Sequence, residues 1–350
     1  MSLVVGVDAG GTSTRAIVVD ATGAVLGSAT AGGANPNSHP PAEAAARIAS
    51  AIETALGGRT GVRAAVVGLA GVSKLSDPAV AAVFAQAWQR IGLAGAVRTV
   101  ADAEVAYASA TSAPDGTVLV AGTGSIAGRI RARRMTGTAG GYGWLLGDEG
   151  SAFWLGREAV RSTLEALGRG PELGGLAAAV LAEAFGPSAV DAREGAPEAA
   201  LEVRREPLTD SDRTRLDNRD FPNSPVTEAN RLGTARALIT KVNAEPPIRL
   251  ARFAPLVSAA AAAGEPVADE IVTRAAELLV ATALATRDPG EKTPVVLVGS
   301  VLTGTGPVGP LVRAGLAGLD VLTSSDGVLG AAWLAAVDAW GEAAARPSGR

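Results

Sequence analysis

"VVGVDAGGTSTRAIVV", residues 4–19, decides how the rest of the chain is read. An apolar strand runs into Asp8, turns on Gly10 and Gly11, shows the hydroxyls of Thr12, Ser13 and Thr14, and becomes an apolar strand again. A plain Gly-Gly hairpin explains the turn. It explains neither a carboxylate at the strand end nor hydroxyls beside bare backbone. Phosphate is held by converging backbone N–H groups, and glycine lets the chain approach without a side chain in the way. Asp8 is placed to hold Mg²⁺, directly or through water, because that cation takes oxygen ligands and keeps several waters. The three hydroxyls tip the loop toward phosphate.

Outward from this hairpin, strands and helices alternate. "AVLGSAT" continues as a strand, "PAEAAARIASAIETALGG" as a helix with proline near its start and glycine at its end, and "VRAAVVGLAG" as a buried strand. "DPAVAAVFAQAWQRIG" reads as a helix capped by Asp77, and "AVRTVAD" leads into the helix "AEVAYASATS". Near residue 115 the pattern restarts. "TVLVAGTGSIAGRIR" is again strand, glycine and hydroxyl turn, strand, with Gly122, Thr123, Gly124 and Ser125 in the turn. Two such turns on restarting strands point to a phosphate held between two halves. Neither is a Walker loop, which ends Gly-Lys-Ser/Thr, nor a dinucleotide fingerprint, which opens a helix rather than a second strand. "GGYGWLLGDEGSAFWLGREAVRSTLEALG" is a glycine-rich loop entering a helix. Residues 187–250 are expected to hold short helical pieces at best, with 187–230 an irregular insertion. Two helices broken at Gly264 to Pro266, the strand "TPVVLVGSVL", and a last helix "DGVLGAAWLAAVDAW" follow, and the final ten residues are expected to fray. The class is α/β, with sheets covered by helices.

Composition excludes several kinds of chemistry. The 350 residues, 47% hydrophobic, bury a large core and divide into two lobes. A net charge of −4 and 3% aromatics give no general attraction to nucleic acid or anionic membrane and no stacking platform. No secretory signal and no apolar run of roughly 20 residues is read, so the expectation is a cytoplasmic protein. With no cysteine and the single histidine His39, disulfides, thiolate zinc sites, cysteine-held clusters and multi-histidine metal centres are excluded for this chain alone. Carboxylates, hydroxyls, backbone N–H groups and hard cations remain.

Read alone, Asp102 is the N-cap of the helix that follows it. Asp148, before the helix beginning near Ser151, has the same reading, yet Gly140, Gly141, Gly143, Gly147 and Gly150 around it are a large amount of flexible backbone for one cap. Asn35 and Asn37 in "AGGANPNSHP" are turn initiators unless a polar ligand is present. His39 reads as a loop residue. Trp88, Trp154, Trp333 and Trp340 read as packing residues, with Trp144, inside the glycine-rich loop, set apart from them.

The ordered set "DAGGTST", "AGGANPN", "GLAGV", "VADAEVA", "AGTGS", "GGYGWLLGDEGSAFWLG" and "VVLVGSVL" resembles the BadF/BadG/BcrA/BcrD ATPase family, most of all its N-acetylglucosamine and glucosamine kinases of the actin/hexokinase/Hsp70 superfamily. The match runs from about residue 3 to 170 and from about 252 to 336. The resemblance implies two ribonuclease-H-like lobes about a central cleft. One comprises residues 1–115 completed by the C-terminal helix at about 326–345. The other comprises 116–325 with the insertion at about 187–250. It further implies ATP with Mg²⁺ in the cleft, phosphoryl transfer to the 6-hydroxyl of an amino sugar, and a homodimer.

Carried over by position, Asp8, Gly10, Gly11, Thr12 and Ser13 match the first phosphate loop, with Asp8 toward Mg²⁺, and Gly122, Thr123 and Gly124 the second. Asp102 matches the base that takes the hydroxyl proton. Asn35, Ser125, Gly147 and Asp148 match sugar-contacting positions. Gly299 and Ser300 fall at the adenosine-side motif, where Gly-Ser replaces the usual Gly-Gly. The absence of cysteine removes two relatives of this fold, the cluster-bearing dehydratase activators and the zinc-bearing repressor/kinase type. A nucleotide switch without sugar chemistry is the remaining rival. The acidic segment 187–230 and a similarity to alanine- and arginine-rich glucosamine kinases favour glucosamine over N-acetylglucosamine, since a free 2-amine carries positive charge whereas an acetamide needs an apolar slot and an amide partner.

Overall fold

A computed structural model describes residues 2–170, 172–186, 228–324 and 326–348. Met1–Ser151 with Ala276–Arg350 form one compact unit, and Ala152–Ala275 a second.

The first unit holds two five-stranded sheets. The opening sequence makes β1 (Leu3–Ala9) and β2 (Ser13–Asp20), followed by β3 (Val25–Gly32), β4 (Val62–Leu69) and β5 (Val97–Ala101), in the order β3-β2-β1-β4-β5. The second sheet contains β6 (Gly116–Ala121), β7 (Ser125–Arg131), β8 (Arg134–Gly140), β9 (Val295–Val298) and β10 (Val321–Thr323), in the order β8-β7-β6-β9-β10. The two orders are the same. In each, three antiparallel strands meet two parallel ones, β1 with β4 and β6 with β9. The restart near residue 115 is therefore a duplication of topology.

The run "LVVGV" lacks polar alternation because both faces of β1 are covered. Leu3, Val5, Val7 and Ala9 point into a core with helices α1 (Pro41–Leu56) and α2 (Pro78–Arg90). Val4 points into another core, shared with the C-terminal helix Gly327–Trp340. Gly6 is obligatory there, since a Cβ would lie 2.2 Å from the backbone nitrogen of Ala332. Asp77 caps α2 as expected, its carboxylate accepting the Ala79 N–H.

Helix α3 (Asp102–Ala110) serves both sheets. Its Val105 and Ala108 join the core of the first sheet, while Ala103 and Tyr107 pack with Val118, Ile130 and Val296 of the second. Buried on opposite sides, it has no single apolar stripe. The C-terminal helix lies against it at Gly330, where a Cβ would meet the Val105 carbonyl at 1.9 Å.

Two expectations are corrected, and one strand is added. Strand β8 was not read from the sequence; "RMTGTAG" is mostly exposed and hides its pairing with β7. Residues 228–250 are not short pieces, because Glu228–Asn243 is a helix of 16 residues followed by a 3₁₀ turn at Pro247–Phe253; residues 187–227 lie outside the described residues. Residues 341–348 do not fray. Arg346 donates to the Ser109 carbonyl at 3.0 Å, donates also to that of Ala108, and stacks its guanidinium 4.4 Å from the Trp333 ring centroid. Trp144 lies outside the core with exposed Tyr142, Leu145 and Leu146, whereas Trp88, Trp154 and Trp333 are buried as expected.

The second unit is helical in its described residues, comprising Ala152–Arg169, Gly175–Phe185, Glu228–Asn243, Ala254–Ala262 and the start of Pro266–Leu284. Gly156 lets its helix approach the Leu250 carbonyl, and Glu265 accepts the Leu176 N–H at 2.7 Å at the start of a helix. Among the described residues no helix is long and apolar enough to cross a membrane.

Candidate active site

The duplicated topology brings the ends of β1, β5, β6 and β9 around a cavity of about 270 Å³. Asp8 projects from the end of β1 and Asp102 from the first residue of α3; Val120 and Gly299 line the side of the second sheet. Asp102 does not sit at the cap position. Ala101 does, and the Asp102 carboxylate takes only the neighbouring Ala103 N–H at 2.9 Å, leaving it available to the cavity. Asp102 is open to solvent from within this cavity. The surrounding protein still removes enough water to raise its carboxyl pKa, and the charge of Asp8 adds to that rise. Burial raises Asp8 as well, partly offset by Arg15.

Two residues missed from the sequence complete this wall. Arg15, the cross-strand partner of Asp8, lies 3.0 Å from the Asp8 carboxylate and 2.9 Å from that of Asp326. Asp326 also caps the C-terminal helix by accepting the Val328 N–H at 3.1 Å. Gly327 admits the Asp8 carboxylate, since a Cβ would stand 2.7 Å from it. The available signals were a cation inside the apolar run "TRAIVV" and an Asp-Gly pair opening a helix. Either is ordinary by itself.

The first turn is left open. Gly11, Thr12 and Ser13 are exposed, and nothing stands within 4 Å of where a Cβ of Gly11 would be. Gly10 closes the turn by donating to the Ser13 carbonyl at 2.9 Å. Thr14 offers no free donor, because it is fully buried and its hydroxyl donates to the Gly32 carbonyl at 2.9 Å. In the second turn Gly122 donates to the Gly124 carbonyl at 3.0 Å, and Thr123 is exposed at the tip. Gly299, at φ +96°, packs its backbone on this turn so closely that a Cβ would stand 2.4 Å from the Ala121 carbonyl oxygen. Ser300 opens a short helix beside it.

Asp148 is not a helix cap either. It holds a left-handed backbone at φ +57°, and its carboxylate accepts the buried Ser125 N–H at 3.0 Å. A Cβ on Gly124 would meet that carboxylate at 2.6 Å. Two of the expected sugar residues thus hold each other, and the Ser125 hydroxyl is also engaged, donating to the Glu149 carbonyl at 2.7 Å. Gly147 packs on Tyr142. Asn35 accepts the Asn37 N–H at 2.8 Å in a tight Asx turn, with Gly71 against both side chains. Asp8, Asp102 and Gly299 thus line one cavity. Ser125 and Asp148 form a second group, and Asn35 sits in the loop after β3.

This donor set fits a magnesium nucleotide. Carboxylates at the strand end and at Asp326 offer hard oxygens, and the backbone at Gly11 and Gly122 is open, with nothing within 4 Å of where a Cβ would stand. Among the described residues no group of three or more histidine, cysteine or acidic side chains gathers as a metal cage.

Comparison with solved structures gives the fold. A candidate N-acetylglucosamine kinase from Chromobacterium violaceum superposes with a TM-score of 0.64 at 24% identity, covering 95% of this chain and 99% of that one. One from Porphyromonas gingivalis gives 0.62 at 23% identity, covering 95% and 98%. The fold is that of the actin-like ATPases, an α/β architecture of two sheets in duplicated order. The chain belongs to the BadF/BadG/BcrA/BcrD ATPase family, whose model matches residues 5–335. Among curated proteins, an N-acetylmuramic acid/N-acetylglucosamine kinase of Clostridium acetobutylicum is 30% identical over 171 residues, 47% of this chain and 54% of that one. An N-acetyl-D-glucosamine kinase of Dictyostelium discoideum is 28% identical over 176 residues, 46% and 54%. The chain spans about half the length of these curated relatives.

Proposed function

We propose that this protein is an ATP-dependent kinase that phosphorylates the 6-hydroxyl of an amino sugar, glucosamine in the first instance. The observation that carries this reading is the shared cavity of Asp8, Arg15 and Asp102 beside Gly299. Phosphoryl transfer asks for positioning, charge stabilisation and one base at the nucleophile, and it needs neither cysteine nor histidine.

In this reading Asp8 would hold Mg²⁺, directly or through water, and the cation would supply charge neutralisation on the phosphates. The Gly10–Ser13 and Gly122–Gly124 turns hold the polyphosphate through backbone N–H groups other than those of Gly10 and Gly122, which close the turns themselves, and Gly299 and Ser300 take the nucleoside side. Asn35, Ser125, Gly147 and Asp148 form the sugar side. Asp102 accepts the proton of the 6-hydroxyl while its oxygen bonds to the γ-phosphorus and the bond to the β-phosphate oxygen breaks, leaving ADP and the sugar 6-phosphate. A raised pKa makes Asp102 the better base, and sets the acid limb of turnover above the ordinary carboxylate range. We assign the two lobes to the two sheets, residues 1–115 with the C-terminal helix and 116–325. Their closure would exclude water.

Glucosamine is supported by the acidic composition of residues 187–230. The second reading, N-acetylglucosamine, is supported by the names of the curated relatives. An assay of ADP release with glucosamine, N-acetylglucosamine, glucose and mannosamine ranks them by kcat/KM. Highest kcat/KM on glucosamine supports the first reading, and ADP release unchanged by every sugar would leave a nucleotide switch instead.

A further inference from the structure

The loop that follows β3 is bound to the first phosphate turn by three separate contacts. Gly33 packs directly on the turn, where a Cβ would stand 2.0 Å from the Gly11 carbonyl oxygen. The Ala34 N–H donates to the Gly10 carbonyl at 2.9 Å. His39 reaches the Gly11 carbonyl with Nε2 at 3.1 Å, and its Nδ1 lies 3.3 Å from the Arg47 guanidinium. Arg47 in turn donates to the Gly33 carbonyl. A carbonyl only accepts and a guanidinium only donates, so the two contacts together match the tautomer that carries its proton on Nε2. The molecule's one histidine is therefore neither catalyst nor idle loop residue.

We infer that His39 is a positioning residue that makes the Asn35 loop and the Gly10–Ser13 turn one piece, so that amino sugar seated at Asn35 tightens the grip of the turn on nucleotide phosphate. This rests on the kinase reading given above. The physical ground is that a loop tied to the turn at Gly10 and Gly11 cannot be ordered by one ligand without lowering the ordering cost for the other. The coupling is reciprocal, and nucleotide tightens sugar by the same factor.

The test measures the dissociation constant of a non-hydrolysable ATP analogue with Mg²⁺, with and without saturating amino sugar, while turnover of the wild type on the same sugar is followed in parallel. In the wild type the sugar tightens the analogue several-fold, within the roughly 5- to 150-fold range of such couplings. His39→Ala brings that ratio close to one and changes the affinity for the analogue alone much less. His39→Gln, which offers an amide N–H to Gly11 and a carbonyl to Arg47, restores most of it. Arg47→Gln, which frees Gly33, lowers the ratio and serves should His39→Ala fail to fold. A wild-type ratio of one, or a His39→Ala ratio equal to that of the wild type, overturns the inference while turnover leaves the kinase reading intact. Absence of wild-type turnover overturns that reading and this inference with it.

Discussion

The two glycine hairpins share a topology and differ in where they keep their charge. In the first, the pair one step back from the turn is Asp8 with Arg15; in the second, it is Val120 with Ile126. The second hairpin carries its ion pairs farther along β7, where Arg129 holds Asp288 at 3.0 and 3.2 Å and Arg131 grips Glu291 at 2.9 and 3.1 Å, away from the cavity-lining residues. The energetics diverge accordingly. Burial alone would raise Glu291, but Arg131, the Thr293 hydroxyl and the Asp288 N–H outweigh it and hold the carboxyl at about 2. Asp8 and Asp102 are shifted upward because desolvation wins. One ion pair is satisfied and structural. The other lines the cavity, where the loss of water outweighs the Arg15 guanidinium.

The sharpest way to break this contrast is Asp102→Asn. Turnover should fall about 10²- to 10⁴-fold while nucleotide and sugar still bind, because only the proton acceptor is removed. The same variant should melt slightly higher than the wild type at neutral pH. The raised pKa means that the folded state disfavours the ionised carboxyl, so the stability it contributes is lost as pH rises through the folded value. The gain should vanish at acid pH, and unchanged turnover would remove Asp102 as the base.

Next in size is Asp148→Ala, which strips the second turn of its brace. The buried Ser125 N–H loses a charged acceptor, and alanine must hold a left-handed backbone; together these cost about 2–4 kcal/mol in chemical denaturation. Glu291→Gln should cost about 1–3 kcal/mol at neutral pH. Its carboxyl is depressed, so its contribution is present above the unfolded value and is lost as pH falls from about 4.5 to about 2. Acid unfolding curves of the two proteins should therefore converge at low pH, and parallel curves would show that Glu291 is no stabilising pair. The smallest effect belongs to Arg15→Met. The Arg15 pairs are partly exposed, so stability should change by less than about 1 kcal/mol. Without its cation Asp8 rises further, and the Mg²⁺ requirement should grow more at the lower of two pH values than at the higher. An Mg²⁺ titration at the two pH values reads this directly.

Much of the fold was legible because its signals are local. The apolar runs, the glycine turns and the Asp77 cap each declare themselves within a few residues, and the restart near 115 shows in the repeated strand–turn–strand. Strand β8 was not legible, since an exposed edge strand of Gly, Thr and Ala carries no apolar period. The tail's attachment through Arg346 and the helix at Glu228–Asn243 were equally hidden. The former depends on carbonyls more than 200 positions away, and the latter lies in a polar stretch.

At the site, the sequence by itself determined the chemistry that was possible: no thiol, one imidazole, carboxylates at strand ends, and glycines where backbone can meet phosphate. Only the tertiary structure decided which groups meet. It joined Asp326 to Asp8 through Arg15, turned Asp148 back onto Ser125, and set His39 behind Gly11. The reason is that residue type and local pattern are written in neighbouring positions. Contact between a hairpin at residue 8 and a helix start at residue 326 is set by how two sheets and the helix between them pack.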